Sequence, residues 1–536
     1  MLYFPSVFLY VQNLKFKFVI TSKTGTHQLA MSSYLSLSMV LLLFIFLIPF
    51  TFLLLMKRRK QNVQAKRLPP GPRRLPVIGN LHHLSDDLPH CAFEHPSSHY
   101  GPIMFLQLGS RSTLVVSSAE MTREVFKTHD LIFSGRPEFL YVAKRLSYDS
   151  SVSFSPIGKY WREVRKIVIL ELLSAKRIQM FRSVRDEEVG HMIDDIAHTS
   201  NGLINLNELT HFLSNRVLCR SAFGKKYDGA GGVISKNRIF ELLEEAMNLL
   251  GGFCISDFLP WMGWLNKFNG LEKRVDKCFK GLDSFYDKVI EEHLDPKRPT
   301  PEHEDLVDVL LRVQKDPSQA IALTNDQIKG VITDIFIAGT DTSSATVVWT
   351  MAELIRNPLV MRNAQDEVRG VVKAQGKVEE SDLSELMYLK LVIKESFRLH
   401  PPVPSLVPRV TTESCTIEGY EIPAKTMVFI LAKMIGRDPK CWENPNEFFP
   451  ERFLDSSIDY KGNHFELLPF GAGRRGCPGM NFAMQLVELT LANLLYRFDW
   501  ELPDGMKRED LNMEEAAGIT VQNKVPLYLA ATPVHL

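Results

Sequence analysis

Cys477 is the residue whose setting most favours chemistry. It lies in Pro469-Phe470-Gly471-Ala472-Gly473-Arg474-Arg475-Gly476-Cys477-Pro478-Gly479, directly before an apolar helical pattern from Met480 to Arg497. Inside a helix each of these glycines would cost about 1 kcal/mol relative to alanine, so the stretch reads as a tight loop that lets backbone approach something closely. At the N-terminus of the following helix, the dipole and the free amides favour a thiolate at Cys477. A buried cysteine in a structural loop is the plain alternative. Gly471-Ala472-Gly473-Arg474-Arg475-Gly476 also matches G-x-G-x-x-G. A dinucleotide fingerprint, however, needs a βαβ unit and an acid about 20 residues on. Here a proline abuts the turn and one long helix follows, so that reading is set aside.

Phe470, Gly473, Arg475, Cys477 and Gly479 fall as F-x-x-G-x-R-x-C-x-G, which resembles the haem-binding loop of the cytochrome P-450 family. The resemblance implies that Cys477 is the axial thiolate of a haem b iron, pushing electron density through the metal to favour O–O cleavage. Pro478 has no N–H, so the amides of Gly479 and Met480 are the expected donors that temper the sulfur's charge. Arg475 resembles the family's propionate partner, since a guanidinium fork matches a carboxylate. Arg474 is expected to face solvent.

Other segments acquire meaning beside that loop. From Pro156, suited to a helix's first turn, a helical pattern places Trp161 and Arg165 on one face at i, i+4. Alone, W-x-x-x-R is an ordinary amphipathic face; with the Cys477 loop it resembles a second propionate contact. Arg162 and Lys166 then face outward as a candidate docking patch for an acidic redox partner. Thr324-Asn325-Asp326-Gln327 is a capping box opening a helix to Arg356, stopped by Asn357-Pro358 and about 50 Å long. Midway, Ala338-Gly339-Thr340-Asp341-Thr342-Ser343 weakens that helix. The cluster resembles the family's oxygen-activation motif, with Ala338 and Gly339 making room for dioxygen and Asp341 and Thr342 relaying protons. Glu395-Ser396-Phe397-Arg398, followed by His400-Pro401-Pro402 and by Pro450-Glu451-Arg452-Phe453, resembles the family's buried triad of Glu395, Arg398 and Arg452. Arg409 is a candidate third propionate contact. The segments expected to line the substrate pocket include Ser153, Phe154, Ile335, Ile337, Leu406, Val407, Gly518 and Ile519. Their apolar character suits a lipophilic small molecule.

The elements that must hold these residues occupy a chain of 536 residues with 63 basic and 62 acidic side chains, a balance that argues against nucleic-acid binding through a large positive field. Its seven cysteines are scattered, with no C-x-x-C pair, which fits a reduced, cytosol-facing body rather than a disulfide framework or zinc site. Residues 39–56 carry no charge and are followed by Lys57-Arg58-Arg59-Lys60. That length spans a bilayer, and the basic cluster places the C-terminal body in the cytoplasm. Met31 is the expected true start, with residues 1–30 as an upstream extension. Residues 31–60 read as a single-pass signal anchor and basic stop, and residues 61–72, with Leu68-Pro69-Pro70-Gly71-Pro72, as a stiff hinge. Ile103–Leu108 and residues 113–116 read as a β-hairpin around Gly109-Ser110-Arg111, and Ser117-x-x-Glu120 as a capping box. Residues 253–265, FCISDFLPWMGWL, stay open between a membrane-dipping entry segment and plain core.

The resemblance covers residues 69–480 and implies a mainly α fold with a small β part. Also implied is a single cytochrome P-450-type domain, residues 73–536, expected behind an N-terminal transmembrane anchor in the endoplasmic reticulum. The wording of the motifs is most similar to the plant microsomal group of specialised metabolism. Implied is a monooxygenase drawing NADPH electrons through a separate NADPH-cytochrome P-450 reductase, since no convincing nucleotide or flavin motif lies in this chain. Two alternatives stay open: an oxygen-independent haem-thiolate isomerase or dehydratase, against which Asp341 and Thr342 argue, and a membrane-anchored haem sensor without turnover.

Overall fold

Thr324 opens the longest helix as its N-cap. Its hydroxyl accepts the Gln327 N–H while the Gln327 side chain accepts the Thr324 N–H, closing the expected capping box. From there Asn325–Arg356 runs 32 residues without a break and ends at Asn357, where Pro358 starts the next helix. This central helix belongs to two apolar cores. Residues 328–337 pack among Leu271–Leu294, Leu306–Lys315 and Lys236–Gly251. Residues 347–355 pack against Met387–Leu399, Pro358–Val371 and the terminal helix Met480–Arg497. The Ala338–Ser343 cluster lies where one core hands over to the other.

In this computed structural model the chain separates into two units, residues 1–66 and 67–536. The structure describes residues 68–84, 88–199, 202–225, 236–372 and 376–534, with positions 47, 50 and 51. The upstream extension and most of the anchor lie outside the described residues, among which no helix is long and apolar enough to cross a membrane.

The β part is small. Ile103–Leu108 and Arg111–Val116 form the expected antiparallel hairpin. The second strand pairs in parallel with Met427–Ile430, which pairs antiparallel with Arg409–Val410. A three-stranded sheet of Ile204–Asn205, Tyr528–Pro533 and Phe498–Glu501 and the pair Cys415–Ile417 with Tyr420–Ile422 complete it. Strand Arg409–Val410 matters for the site because it carries Arg409 inward, 4% exposed.

Two helix starts differ from expectation. The helix after the hairpin is capped by Ser118, whose side chain accepts the Met121 N–H, rather than by a box from Ser117 to Glu120. The helix carrying Trp161 begins at Lys159 after Gly158, so Pro156 precedes it. Residues 151–155 are occupied by side-chain bonds to other elements, described below, and the helix forms only once the chain leaves them.

Candidate active site

The Cys477 loop follows Gly471 and Gly473, both at positive φ, 64° and 66°, which glycine adopts at no steric cost. No strand precedes them; residues 464–470 are turns and irregular chain, so the dinucleotide fingerprint lacks its scaffold. The loop is closed by Cys477 N–H donating to Phe470 O at 2.9 Å. The sulfur opens into a cavity of about 270 Å³. Burial pushes the Cys477 thiol up, and the amides of Gly479 and Met480, with the nearby Arg165 guanidinium, pull it back toward the thiolate.

Across the cavity stands the central helix. Val331, Asp334, Ile335, Ala338, Gly339, Thr342, Ser343 and Thr346 line it, a spacing of three and four that marks one face. Thr342 Oγ1 donates to Ala338 O at 2.7 Å. Gly339 also spares a clash with the neighbouring helix Leu206–Phe223, since a Cβ there would come within 2.9 Å of Leu218 Cδ1. Asp341 departs from expectation. It does not line the cavity; one residue of helical rotation from Thr342 turns its carboxylate onto His211 Nε2 at 2.6 Å.

Four arginines converge on the same cavity: Arg136, Arg165, Arg409 and Arg475. Arg475 donates to Ser134 O, Val152 O and Ser155 O at 2.8, 3.1 and 2.7 Å and sits over the Trp161 ring at 4.1 Å. Arg165 donates to Gly476 O at 2.6 Å, and Trp161 Nε1 to Val152 O at 3.0 Å. Arg409 donates to Ala472 O at 2.9 Å, with Asp130 3.9 Å away. Arg136, absent from the sequence reading, donates to Ser153 O, Val407 O and Pro408 O, each at 2.7 Å. Burial lowers all four, Arg475 to about 9 and Arg409 to about 10, and neighbouring guanidiniums press Arg136, Arg409 and Arg475 further. Guanidiniums in proteins keep their proton, so four positive charges gather at this cavity. Asp334 is the one acid among the described lining residues. A sulfur donor at the cavity's floor and an excess of guanidiniums at its edge fit a metal-centred cofactor bearing carboxylates, as haem b does.

Of the expected pocket residues, Ser153, Ile335, Leu406 and Val407 line the cavity, with Phe470 and Gly479 below. Phe154, Ile337, Gly518 and Ile519 do not. Ile337 falls on the helix face packed into the core, and Phe154 N–H is tied back to Ser151 Oγ at 3.0 Å. Gly518 lies against Gly251, where a Cβ would meet it at 2.4 Å, and Ile519 packs into the helical core. Arg474 is exposed and pairs with Asp130 at 3.2 Å, while Arg162 and Lys166 face outward.

Below the site, the triad forms a closed knot. Arg398 Nη2 and Nε reach Glu395 Oε1 and Oε2 at 2.7 and 2.8 Å, and Arg452 Nε reaches Oε1 at 3.0 Å. The Phe449 N–H adds a donor at 2.8 Å, and the remaining Arg398 donors go to Gly436 O, Pro445 O and Glu447 O.

Comparison with known proteins agrees with this geometry. The sequence profile described as Cytochrome P450 matches residues 69–529. The chain is 60% identical over 484 residues to cytochrome P450 71A9 of Glycine max, covering 90% of this chain and 96% of that one. It is 57% identical over 482 residues to strychnine-11-hydroxylase of Strychnos nux-vomica, covering 90% and 94%. It is 47% identical over 488 residues to desmethyl-deoxy-podophyllotoxin synthase of Sinopodophyllum hexandrum, covering 90% and 95%.

Proposed function

Because this chain belongs to the cytochrome P450 family, we propose that it is a haem-thiolate monooxygenase inserting one oxygen atom of O2 into a lipophilic plant metabolite, with NADPH electrons from a separate reductase. The observation that carries this is Cys477 opening into an apolar cavity opposite Ala338 and Thr342, with four guanidiniums at its edge. Cys477 would hold haem b through its sulfur, with Arg136, Arg165, Arg409, Arg475 and Trp161 seating its propionates. Bound there, haem supplies dioxygen activation and oxygen insertion. The protein's own contribution is positional. Gly479 and Met480 amides steady the sulfur, apolar walls exclude water and orient substrate, and Thr342 holds a proton at Oγ1 on the cavity face. Asp341, paired with His211 at 2.6 Å, would relay protons toward Thr342 by leaving the pair.

Residues 31–60 would anchor the body in the endoplasmic reticulum membrane, with the hinge after them. Support comes from residues 253–268. Phe253, Trp261 and Trp264 are more than half exposed and Phe268 is 80% exposed, the aromatic signature of a membrane interface. Ser110 N–H, at the hairpin turn, holds this segment through Phe258 O at 2.8 Å. Leu108 beside that turn bridges to Gly79, near exposed Leu75 and Val77. Arg162 and Lys166 would meet the acidic face of the reductase.

Microsomes carrying the protein and a plant reductase, incubated with pooled plant metabolites with and without NADPH, test the reading. An NADPH-dependent gain of one oxygen supports it. Products formed without NADPH would favour an isomerase or dehydratase instead. With the substrate so identified, Thr342→Ala should divert most NADPH to peroxide, and Cys477→Ala should abolish the thiolate-type carbon monoxide spectrum.

A further inference from the structure

Asp334 is a half-buried carboxyl that the oxygen chemistry does not use. It lies on the cavity face of the central helix, one turn before Ala338. Its Oδ2 accepts the N–H groups of Val152 and Ser153 at 2.5 and 3.1 Å, and the hydroxyls of Ser151 and Ser153 bond it as well. The carbonyls of the same segment face the other way. Val152 O takes Arg475 and Trp161, Ser153 O takes Arg136, and Ser155 O takes Arg475 again. Residues 151–155 are thus a strap with the Val152 and Ser153 amides on the central helix and the carbonyls of Val152, Ser153 and Ser155 on the arginine cluster.

The strap is not held in place by local preference. Tyr148 and Asp149, which lead into it, have φ of 55° and 52°, a left-handed conformation that non-glycine residues adopt at a cost. Such strain persists only where surrounding structure over-determines it. The segment leading into the strap crosses the helix at close range. A Cβ on Gly330 would meet Ser147 O at 3.1 Å and Ser150 C at 3.3 Å.

We propose that Asp334 is a positioning residue for the cofactor: it pins residues 151–155 to the central helix so that their carbonyls aim Arg136 and Arg475 at the cofactor's carboxylates. The proposal rests on the haem-thiolate reading above. Because a single oxygen accepts both amides, geometry rather than charge is what counts, and an amide side chain can replace it.

The test is transfer of haem from the purified holoprotein to apomyoglobin. Asp334→Ala should release haem about tenfold faster than wild type, in the range expected for outer-shell partners of a metal site, and Asp334→Asn should stay within about twofold of wild type. Ile337→Val, on the same helix but facing the core rather than the cavity, is the control and should leave the rate unchanged. If Asp334→Ala does not accumulate as holoprotein, Asp334→Ser, which keeps a hydroxyl without the reach, takes its place. Equal rates for Asp334→Ala (or Asp334→Ser) and wild type, an Asp334→Asn as fast as that variant, or an Ile337→Val as fast as that variant would each overturn the proposal. Wild-type protein that carries no haem would instead refute the reading on which it rests.

Discussion

Two arginine clusters in this molecule differ in where their counter-charge comes from. Arg398 and Arg452 close on Glu395, inside the chain, and Arg398 and Glu395 are fully buried. Arg136, Arg165, Arg409 and Arg475 converge on a cavity whose described lining offers one carboxylate, already engaged by the 151–153 strap. A satisfied ion cluster in the interior is a lock, because every donor has an acceptor at fixed distance. An unsatisfied one is a receptor, since folding leaves a debt of charge that a dianionic partner settles.

That contrast can be broken in three places. The largest expected effect is at the lock. Glu395→Gln leaves two buried guanidiniums facing a neutral amide, a loss of about 3–5 kcal/mol against a total stability of about 5–15 kcal/mol. Chemical denaturation of the holoprotein reads it, and a loss below about 1 kcal/mol would deny that the triad is a lock. At the receptor the expected pattern reverses. Arg475→Ala should weaken haem retention about 10- to 100-fold while costing the apoprotein less than Glu395→Gln does, because one of four mutually repelling cations is gone. An apoprotein loss as large as the lock's would erase the distinction.

The smallest effect concerns a carboxyl with no cation of its own. Glu488, on the terminal helix, is 8% exposed, and burial pushes it up to about 7, with Lys390 opposing. The folded state therefore holds this proton more tightly than the unfolded chain, whose glutamate titrates at the ordinary 4.5. Its contribution to stability is intact below that value and is lost as pH rises through about 7. Glu488→Gln should be near neutral at about pH 4 and stabilising by about 2–3 kcal/mol at about pH 8. Denaturation midpoints at the two pH values check the sign, and an equal effect at both would show that Glu488 is not the source.

The lock was legible in the primary structure through the resemblance of Glu395-x-x-Arg398 and Pro450-Glu451-Arg452-Phe453 to the family's motifs, because two members three residues apart on one helix are by themselves a weak signal. The receptor was legible only in part. Arg475 and Arg165 lie in motifs that resemble the family's, but Arg136 stands alone before Pro137, and its partners Val407 and Pro408 lie 271 and 272 positions away. No local pattern signals such a contact. Asp334 hides for the same reason, since its role depends on a strap from 181 and 182 positions upstream. Misplaced pocket residues show the complementary failure. Ile337 shares a short stretch with Ile335 and Ala338, yet 200° of helical rotation from Ile335 sends it into the core.

What the amino-acid sequence determined by itself was local and periodic: the Thr324 cap, the unbroken central helix, the hairpin, and a glycine-rich loop presenting Cys477 at a helix start. Each follows from interactions between residues within a few positions of one another, which backbone geometry repeats wherever the residues recur. Tertiary structure alone decided which side chains share the cavity. Asp341 was turned to His211 and Thr342 to the open space, four distant arginines were gathered at one edge, and Gly518 and Ile519 were closed against another helix. Those outcomes depend on how elements cross, a global balance of burial against backbone strain that no single segment contains.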